Sequence, residues 1–294
     1  MQRNRSERMK VVEQLRYVRL GTRNLTAAKD FAQRVLGLQL VDETAGAAYF
    51  RSCNRDHTLV FHDGDPADQA VGFEIHGEDT FDATIAALRQ AGVAVTTGDA
   101  TASAARKARR LAIFRDPGGN AIEIVVRPLN SGWRFHGARD SGVTGLAGVS
   151  LRTPRAAECE RLWTTHLGAR VSDWAGEAAF LAIDDAHHRL VYYPSQRHGI
   201  LAVEYEVENV DLVMRNSYFA QSAQVRIVHG PGRRPTSNQI FLTCVGPDGV
   251  LFSFVAEGSK PAPGQRARQF ADEPLTHCNW GSPCDIPDLK GRQS

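Results

Sequence analysis

The sequence has no run of eighteen apolar residues, so no part of it is expected to cross a membrane as a helix. It has little excess charge. Lys and Arg number 35 against 33 Asp and Glu, and the balance of +2 argues neither for nor against nucleic acid. The opening stretch MQRNRSERMKVVEQ lacks an apolar centre and does not read as a secretory signal. Cysteine is sparse: Cys53, Cys159, Cys244, Cys278 and Cys284 are scattered and odd in number, which excludes a disulfide framework. Free thiols in a reducing cytoplasm are the expectation. The one basic cluster, Arg106-Lys107-Ala108-Arg109-Arg110, has no interleaved aromatics. It reads as a solvated face or a subunit contact rather than a nucleic-acid patch. With 294 residues, 42% of them hydrophobic, the chain can build two domains with their own cores.

What is present is a repeat. Residues 15–61 align without a gap on residues 146–192. Val18 matches Val149, Leu20 matches Leu151, Leu36-Gly37 matches Leu167-Gly168, Asp42 matches Asp173, and His57 matches His188. So many matches at one offset mark two copies of one supersecondary unit. Each copy opens with a short alternating strand, YVRLGT or GVSLRT. An amphipathic helix follows, with Phe31, Val35 and Leu36 in the first copy and Cys159, Leu162, Trp163 and His166 in the second. A Leu-Gly pair ends each helix, with glycine at the C′ position. Three more strands complete a βαβββ unit.

A related pair of units fills the gaps. Residues 70–125 begin AVGFEI and end FRDPGGNAIEIV; residues 202–255 begin AVEYEV and end CVGPDGVLFSFV. Pro-Gly-Gly and Pro-Asp-Gly are hairpin turn signals between apolar strands. The expected fold is α+β, four βαβββ modules in two paired domains. The expected divisions are an arm over 1–12, an N-terminal domain over 13–127, a linker over 128–143, a C-terminal domain carrying the ligand pocket over 144–258, and a tail over 259–294. The tail has no periodicity and reads as an arm draped over the second domain or partly disordered.

The stretch GEAAFLAIDDAHHRLVYY, residues 176–193, reads as two strands joined by a turn at Asp184 and Asp185. If the strand includes the adjacent histidines, they point to opposite faces. The expectation is that His188 looks into a ligand cavity and His187 looks out.

This layout resembles the vicinal oxygen chelate superfamily, which includes glyoxalase I, bleomycin-resistance proteins and extradiol catechol dioxygenases. The two-domain version is similar to the type I, dihydroxybiphenyl-cleaving dioxygenases over roughly residues 13–256. Its most specific features here are the Phe-x6-His-His turn at 180–188 and the strand–PDG–strand ending at 247–255. The resemblance implies a scaffold first domain and a second domain that holds Fe(II) or Mn(II) between two histidines and a glutamate, leaving sites for a catecholate and O2. Carried over residue by residue, those positions are Gly148, Ala202 and Ser253. None offers an imidazole or carboxylate, so no cofactor is predicted. The equivalent positions in the first domain, Tyr17, Ala70 and Glu123, do not make an iron site either.

Other positions survive or change. The resemblance makes His188 an acid–base histidine and Phe180 a pocket-wall aromatic. It places Arg234, Thr236 and Thr243 as substrate-binding positions. A guanidinium suits bidentate anions. Glu204 shares the face of Ala202 by strand alternation and would point near the family's metal position, as a base or improvised ligand. Three readings follow. One is a metal-independent enzyme binding an aromatic or phenolic compound, with His188 as acid or base and Arg234 holding the anionic part. The second is a non-catalytic homologue acting as a partner subunit or ligand-binding protein. The third is a metal-dependent ring-cleaving dioxygenase with a relocated site using His188, Glu204 or the tail, where His277, Cys278 and Cys284 supply soft ligands. The expected partners are a small aromatic or phenolic ligand and further copies of the chain, with no nucleic acid and no membrane.

Overall fold

The computed structural model describes residues 11–262, 264–282, 284–289 and 291. Most of the expected N-terminal arm lies outside the described residues, and the first strand starts earlier than the alternating run suggests. The N-terminal half opens with β1 (Val12–Thr22), α1 (Leu25–Asp30) with a π-helical continuation to Val35, β2 (Gln39–Thr44), β3 (Ala47–Arg51) and β4 (Leu59–Asp63). It repeats the plan with β5 (Gln69–Ile75), α2 (Gly77–Gln90), β6 (Val95–Thr97), α3 (Ala100–Ala105), β7 (Arg110–Arg115) and β8 (Ala121–Val126). One sheet results, in the order β2-β3-β4-β1-β5-β8-β7-β6. The opening strands of the two modules pair antiparallel at its centre, and each pairs parallel with the last strand of its own module.

The C-terminal half follows the same path: β9 (Val143–Thr153), α4 (Ala156–His166), β10 (Arg170–Ala175), β11 (Ala178–Ala182) and β12 (Leu190–Pro194). Then come β13 (Gly199–Val207), α5 (Val210–Ser222), β14 (Ile227–Arg233), β15 (Ile240–Val245) and β16 (Leu251–Ala256). The α+β fold of four βαβββ modules in two pairs is the one expected. Gly37 and Gly168 hold φ of +75° and +76° at the ends of the matched helices, a conformation a side chain disfavours.

The tail has more structure than its composition suggested. β17 (Arg268–Phe270) pairs parallel with β10, α6 (Pro274–His277) follows, and β18 (Trp280–Gly281) pairs antiparallel with β14. These short strands sit at the two edges of a ten-stranded sheet ordered β17-β10-β11-β12-β9-β13-β16-β15-β14-β18.

Strand alternation sorts the side chains into two layers. Val203, Tyr205, Phe252 and Phe254 join a central core that runs through both halves. In it Phe73 packs against Trp163 at 4.6 Å between centroids, and Phe31 against Phe252 at 5.2 Å. Trp163 donates to the Tyr192 hydroxyl, which donates to Asp116 of the other half, both at 2.8 Å. The opposite face of the C-terminal sheet carries Phe180, Tyr193, Ala202 and Leu251, and the tail lays Ile286 and Leu289 on them. An ion pair of 3.1 Å between Arg152 and Asp288 holds the tail there.

Candidate active site

The loop between β11 and β12 is fixed by its own charges. Asp184 accepts from the Ala186 amide at 3.0 Å and from Arg189 Nε at 2.7 Å. Arg189 in turn donates to the Ala147 carbonyl at 2.8 Å. The loop therefore holds both histidines against the sheet. His187 does not look out: it and His188 are each 3% exposed. The strand begins only at Leu190, so alternation does not govern the pair, and the expectation for His187 is corrected.

The two rings belong to one buried chain of polar side chains. His187 Nε2 lies 2.8 Å from Asp173 Oδ2, and His187 Nδ1 lies 3.0 Å from His188 Nδ1. His188 Nε2 lies 3.3 Å from Glu204 Oε2, and Arg234 donates to Glu204 Oε1 at 2.5 Å. At the far end Arg268, from the tail, donates to Asp173 through its backbone amide at 2.9 Å and its side chain at 2.5 Å. Gln239 and the face of Phe241 hold the Arg234 guanidinium, at 3.0 Å and 4.7 Å. Phe180 meets the His188 ring edge-on at 5.2 Å.

Hydrogen counting constrains this chain. Three hydrogen bonds link Asp173 to Glu204 through the two rings. Two neutral imidazoles supply only two hydrogens. With both rings neutral, one of the three contacts has no hydrogen to share. Burial and then the neighbouring His188 pull the His187 ring down to about 4, against the raising effect of Asp173. Burial alone would raise the Glu204 carboxyl, but the Arg234 charge and its bonds to His188 and Arg234 outweigh that and bring it to about 2. Burial likewise opposes ionisation of Asp173, and the bonds from Arg268 and His187 overcome it and lower its pKa.

The three family positions surround Glu204. The register of β13 with β9 sets Glu204 opposite Gly148, and its register with β16 sets it opposite Ser253. A Cβ at Gly148 would lie 3.2 Å from Glu204 Oε2, so glycine leaves the room this carboxylate occupies. Ala202 is buried one alternation away on the same strand, and Ser253 shares a 2.8 Å hydrogen bond with Thr243. Thr236 is buried and its carbonyl accepts from Arg268 at 2.6 Å. In the first domain Tyr17 donates to Glu123 at 2.7 Å, and Arg106 pairs with the same carboxylate. A cavity of about 140 Å³ opens beside the histidine pair, walled by Ala147, His187, His188, Gln239 and Lys260.

The sequence reading singled out His188, Glu204, Phe180, Arg234, Thr236 and Thr243. The structure joins the first five in one contact network, Thr236 through its carbonyl on Arg268, and adds Asp173, His187, Gln239 and Arg268; Thr243 pairs instead with Ser253. Asp173 carried a signal, since it repeats Asp42. Arg268 carried none.

Two sheets, each built from two βαβββ modules around a central antiparallel pair, define the paired-module fold of vicinal oxygen chelate proteins. A profile of the Glyoxalase/Bleomycin resistance protein/Dioxygenase superfamily matches residues 14–124 and 145–254, and the chain belongs to this superfamily. It is 26% identical over 281 residues to biphenyl-2,3-diol 1,2-dioxygenase of Sphingomonas paucimobilis, covering 88% of this chain and 92% of that one. It is 26% identical over 278 residues to 1,2-dihydroxynaphthalene dioxygenase of Sphingobium xenophagum, with the same coverage of 88% and 92%. Among solved structures it matches BphC, a halotolerant catechol dioxygenase, with a TM-score of 0.86 at 20% identity, covering 95% and 97% of the two chains. It matches the Mn(II)-bound glyoxalase from Novosphingobium aromaticivorans with a TM-score of 0.85 at 23% identity, covering 97% and 95%.

These relatives correct one expectation, that no cofactor is to be assigned. A protein of this fold is Mn(II)-bound, so the fold accommodates a divalent ion and the assignment of none is withdrawn. The side chains at Gly148, Ala202 and Ser253 nevertheless do not fit a set of two histidines and a carboxylate. Among the described residues no group of three or more His, Cys, Asp or Glu is placed to hold a metal ion. No described helix is long and apolar enough to cross a membrane.

Proposed function

We propose that the C-terminal domain binds a small hydroxylated aromatic compound beside the histidine pair, with His188 as the acid–base group. The observation that carries this reading is His188 at the wall of a cavity, with its Nε2 3.3 Å from Glu204 Oε2 behind it. That contact is the longest of the chain from Asp173 to Arg234 and the one a ligand hydroxyl can replace, since catalytic contacts in a free enzyme are often loose. Arg234 serves by holding Glu204 ionised, and Phe180 by keeping the His188 ring in place. The relatives named for biphenyl-2,3-diol and 1,2-dihydroxynaphthalene support an aromatic diol as the ligand class.

Calorimetric titration with biphenyl-2,3-diol and 1,2-dihydroxynaphthalene tests the reading. His188→Ala should weaken binding about tenfold, the loss of one charge-assisted hydrogen bond, while the fold persists. Undiminished binding and turnover in that variant would refute it. Gly148, Ala202 and Ser253 favour a second reading, a homologue that binds the diol or pairs with an active subunit without turning it over. Copurification with a ring-cleaving subunit would support that one; turnover by the isolated chain would end it.

A further inference from the structure

The first domain carries an arginine that nothing balances. On β1, Val18 and Leu20 enter the central core, so by alternation Tyr17 and Arg19 face the other side of the sheet. Register sets Arg19 between Val60 of β4 and Ala70 of β5, neither of which has a polar side chain. Among the described residues the half-buried Arg19 guanidinium has no hydrogen bond and no ion pair, and its Nη1 is shut off from solvent. Arg16, Arg51, Arg55 and Arg106 of the same domain each reach a carboxylate, an amide oxygen or a backbone carbonyl. A guanidinium has five donors, and a buried donor left unmet carries a desolvation penalty that an anion relieves.

Its surroundings supply no counter-charge. Glu123 accepts from Tyr17 and pairs with Arg106, and Asp42, opposite Tyr49 across β2 and β3, pairs with Lys107. Asp68 is exposed and lies 3.9 Å from His62 Nε2. The histidines add no charge of their own. Burial first and the Arg19 charge second lower the His62 pKa. Burial also lowers that of His57, with Asp56 opposing and Arg19 adding to the lowering. Both rings are therefore neutral near pH 7. His57 is 3% exposed and lies beside the Tyr17 ring, 5.0 Å between centroids. Its Nδ1 faces Asp56 at 3.1 Å, and its Nε2 is a second buried polar atom without a partner.

We propose that this face of the first domain binds a small carboxylate, held by the Arg19 guanidinium beside His57 and His62. One unbalanced positive charge among neutral rings matches a monoanion, and the planar fork of an arginine matches the two oxygens of a carboxylate. Arg19 matches Ser150 in the repeat, so the site belongs to the first domain alone. It does not depend on the function assigned to the second.

NMR titration of the full chain at pH 7 and constant ionic strength, with propionate and with inorganic phosphate as probes, tests the proposal. Propionate should shift the Arg19 side-chain Nε–H resonance saturably and bind more tightly than phosphate. Arg19→Met should weaken propionate at least about tenfold, the loss of a charge-assisted hydrogen bond. Propionate should also raise the urea midpoint of the wild type and leave that of Arg19→Met unchanged. His188→Ala should bind propionate as the wild type does, which separates this site from the one in the second domain. An Arg19 resonance that propionate does not move would overturn the proposal. Equal or tighter binding of phosphate would do the same, as would equal propionate affinity in the wild type and Arg19→Met. Should Arg19→Met fail to fold, the wild-type Arg19 resonance decides: saturable movement with propionate supports the site and constancy refutes it.

Discussion

Glu204 and Gly148 face each other across β13 and β9, and the carboxylate fills the space a side chain at 148 would need. Gly148→Ala sets a Cβ 3.2 Å from Glu204 Oε2, so the carboxylate must yield by a few tenths of an ångström. The expected cost is about 1 kcal/mol, and Gly148→Leu should cost about 3 kcal/mol, the range for overfilling a packed site. Urea unfolding measures both.

Arg234→Gln should be among the most damaging single changes in the second domain. Glu204 is 2% exposed, and the substitution strands its charge. Removing one partner of a buried ion pair costs about 3 to 5 kcal/mol. The double variant Arg234→Gln with Glu204→Gln should recover part of that loss, because no charge is then left unpaired. Equal stability of the single and double variants would contradict the pairing.

The histidine pair gives stability a defined dependence on pH. The His187 ring is held below its ordinary value of 6.5, at about 4, by burial and His188, with the Arg268 charge adding to them, against the raising effect of Asp173. Between these values the unfolded chain binds a proton the folded ring refuses. Its contribution is therefore fully present above pH 6.5 and is lost as pH falls toward 4. His187→Asn should flatten this part of a stability profile measured by urea midpoints. Glu204 acts lower: its contribution is present above its ordinary value of 4.5 and disappears toward pH 2.

Leu289 is 8% exposed in the cluster that seats the tail. Leu289→Asp should loosen that seat without unfolding the domain. The expected signature is faster amide exchange in β17 and β18 than in the wild type, with exchange in β13 unchanged. Uniform exchange across all three strands would show that the tail and sheet unfold as one unit.

Much of the fold was legible because it was written twice. The Leu-Gly pairs, the opening strands and the Pro-Gly turns recur at matched places, and a duplicated unit cannot bury its face alone. The site was less legible. His187 and His188 sit in a loop where the period of two no longer applies, so their facing could not be inferred. Asp173 reaches His187 across neighbouring strands, and Arg268 arrives from a tail with no periodic pattern.

β17 and β18 also bear on how this protein behaves among its own copies. A strand at the margin of a sheet offers unmet amides and carbonyls to any extended chain nearby. In the C-terminal sheet both margins are occupied by segments of the same polypeptide, and those segments are only three and two residues long. The N-terminal sheet relies on different protection: β6 has three residues, and β2 carries Asp42 and Glu43 along a largely exposed edge. A chain clipped ahead of residue 268 would keep its core yet gain two adhesive borders, so loss of the tail would register first as self-association in solution.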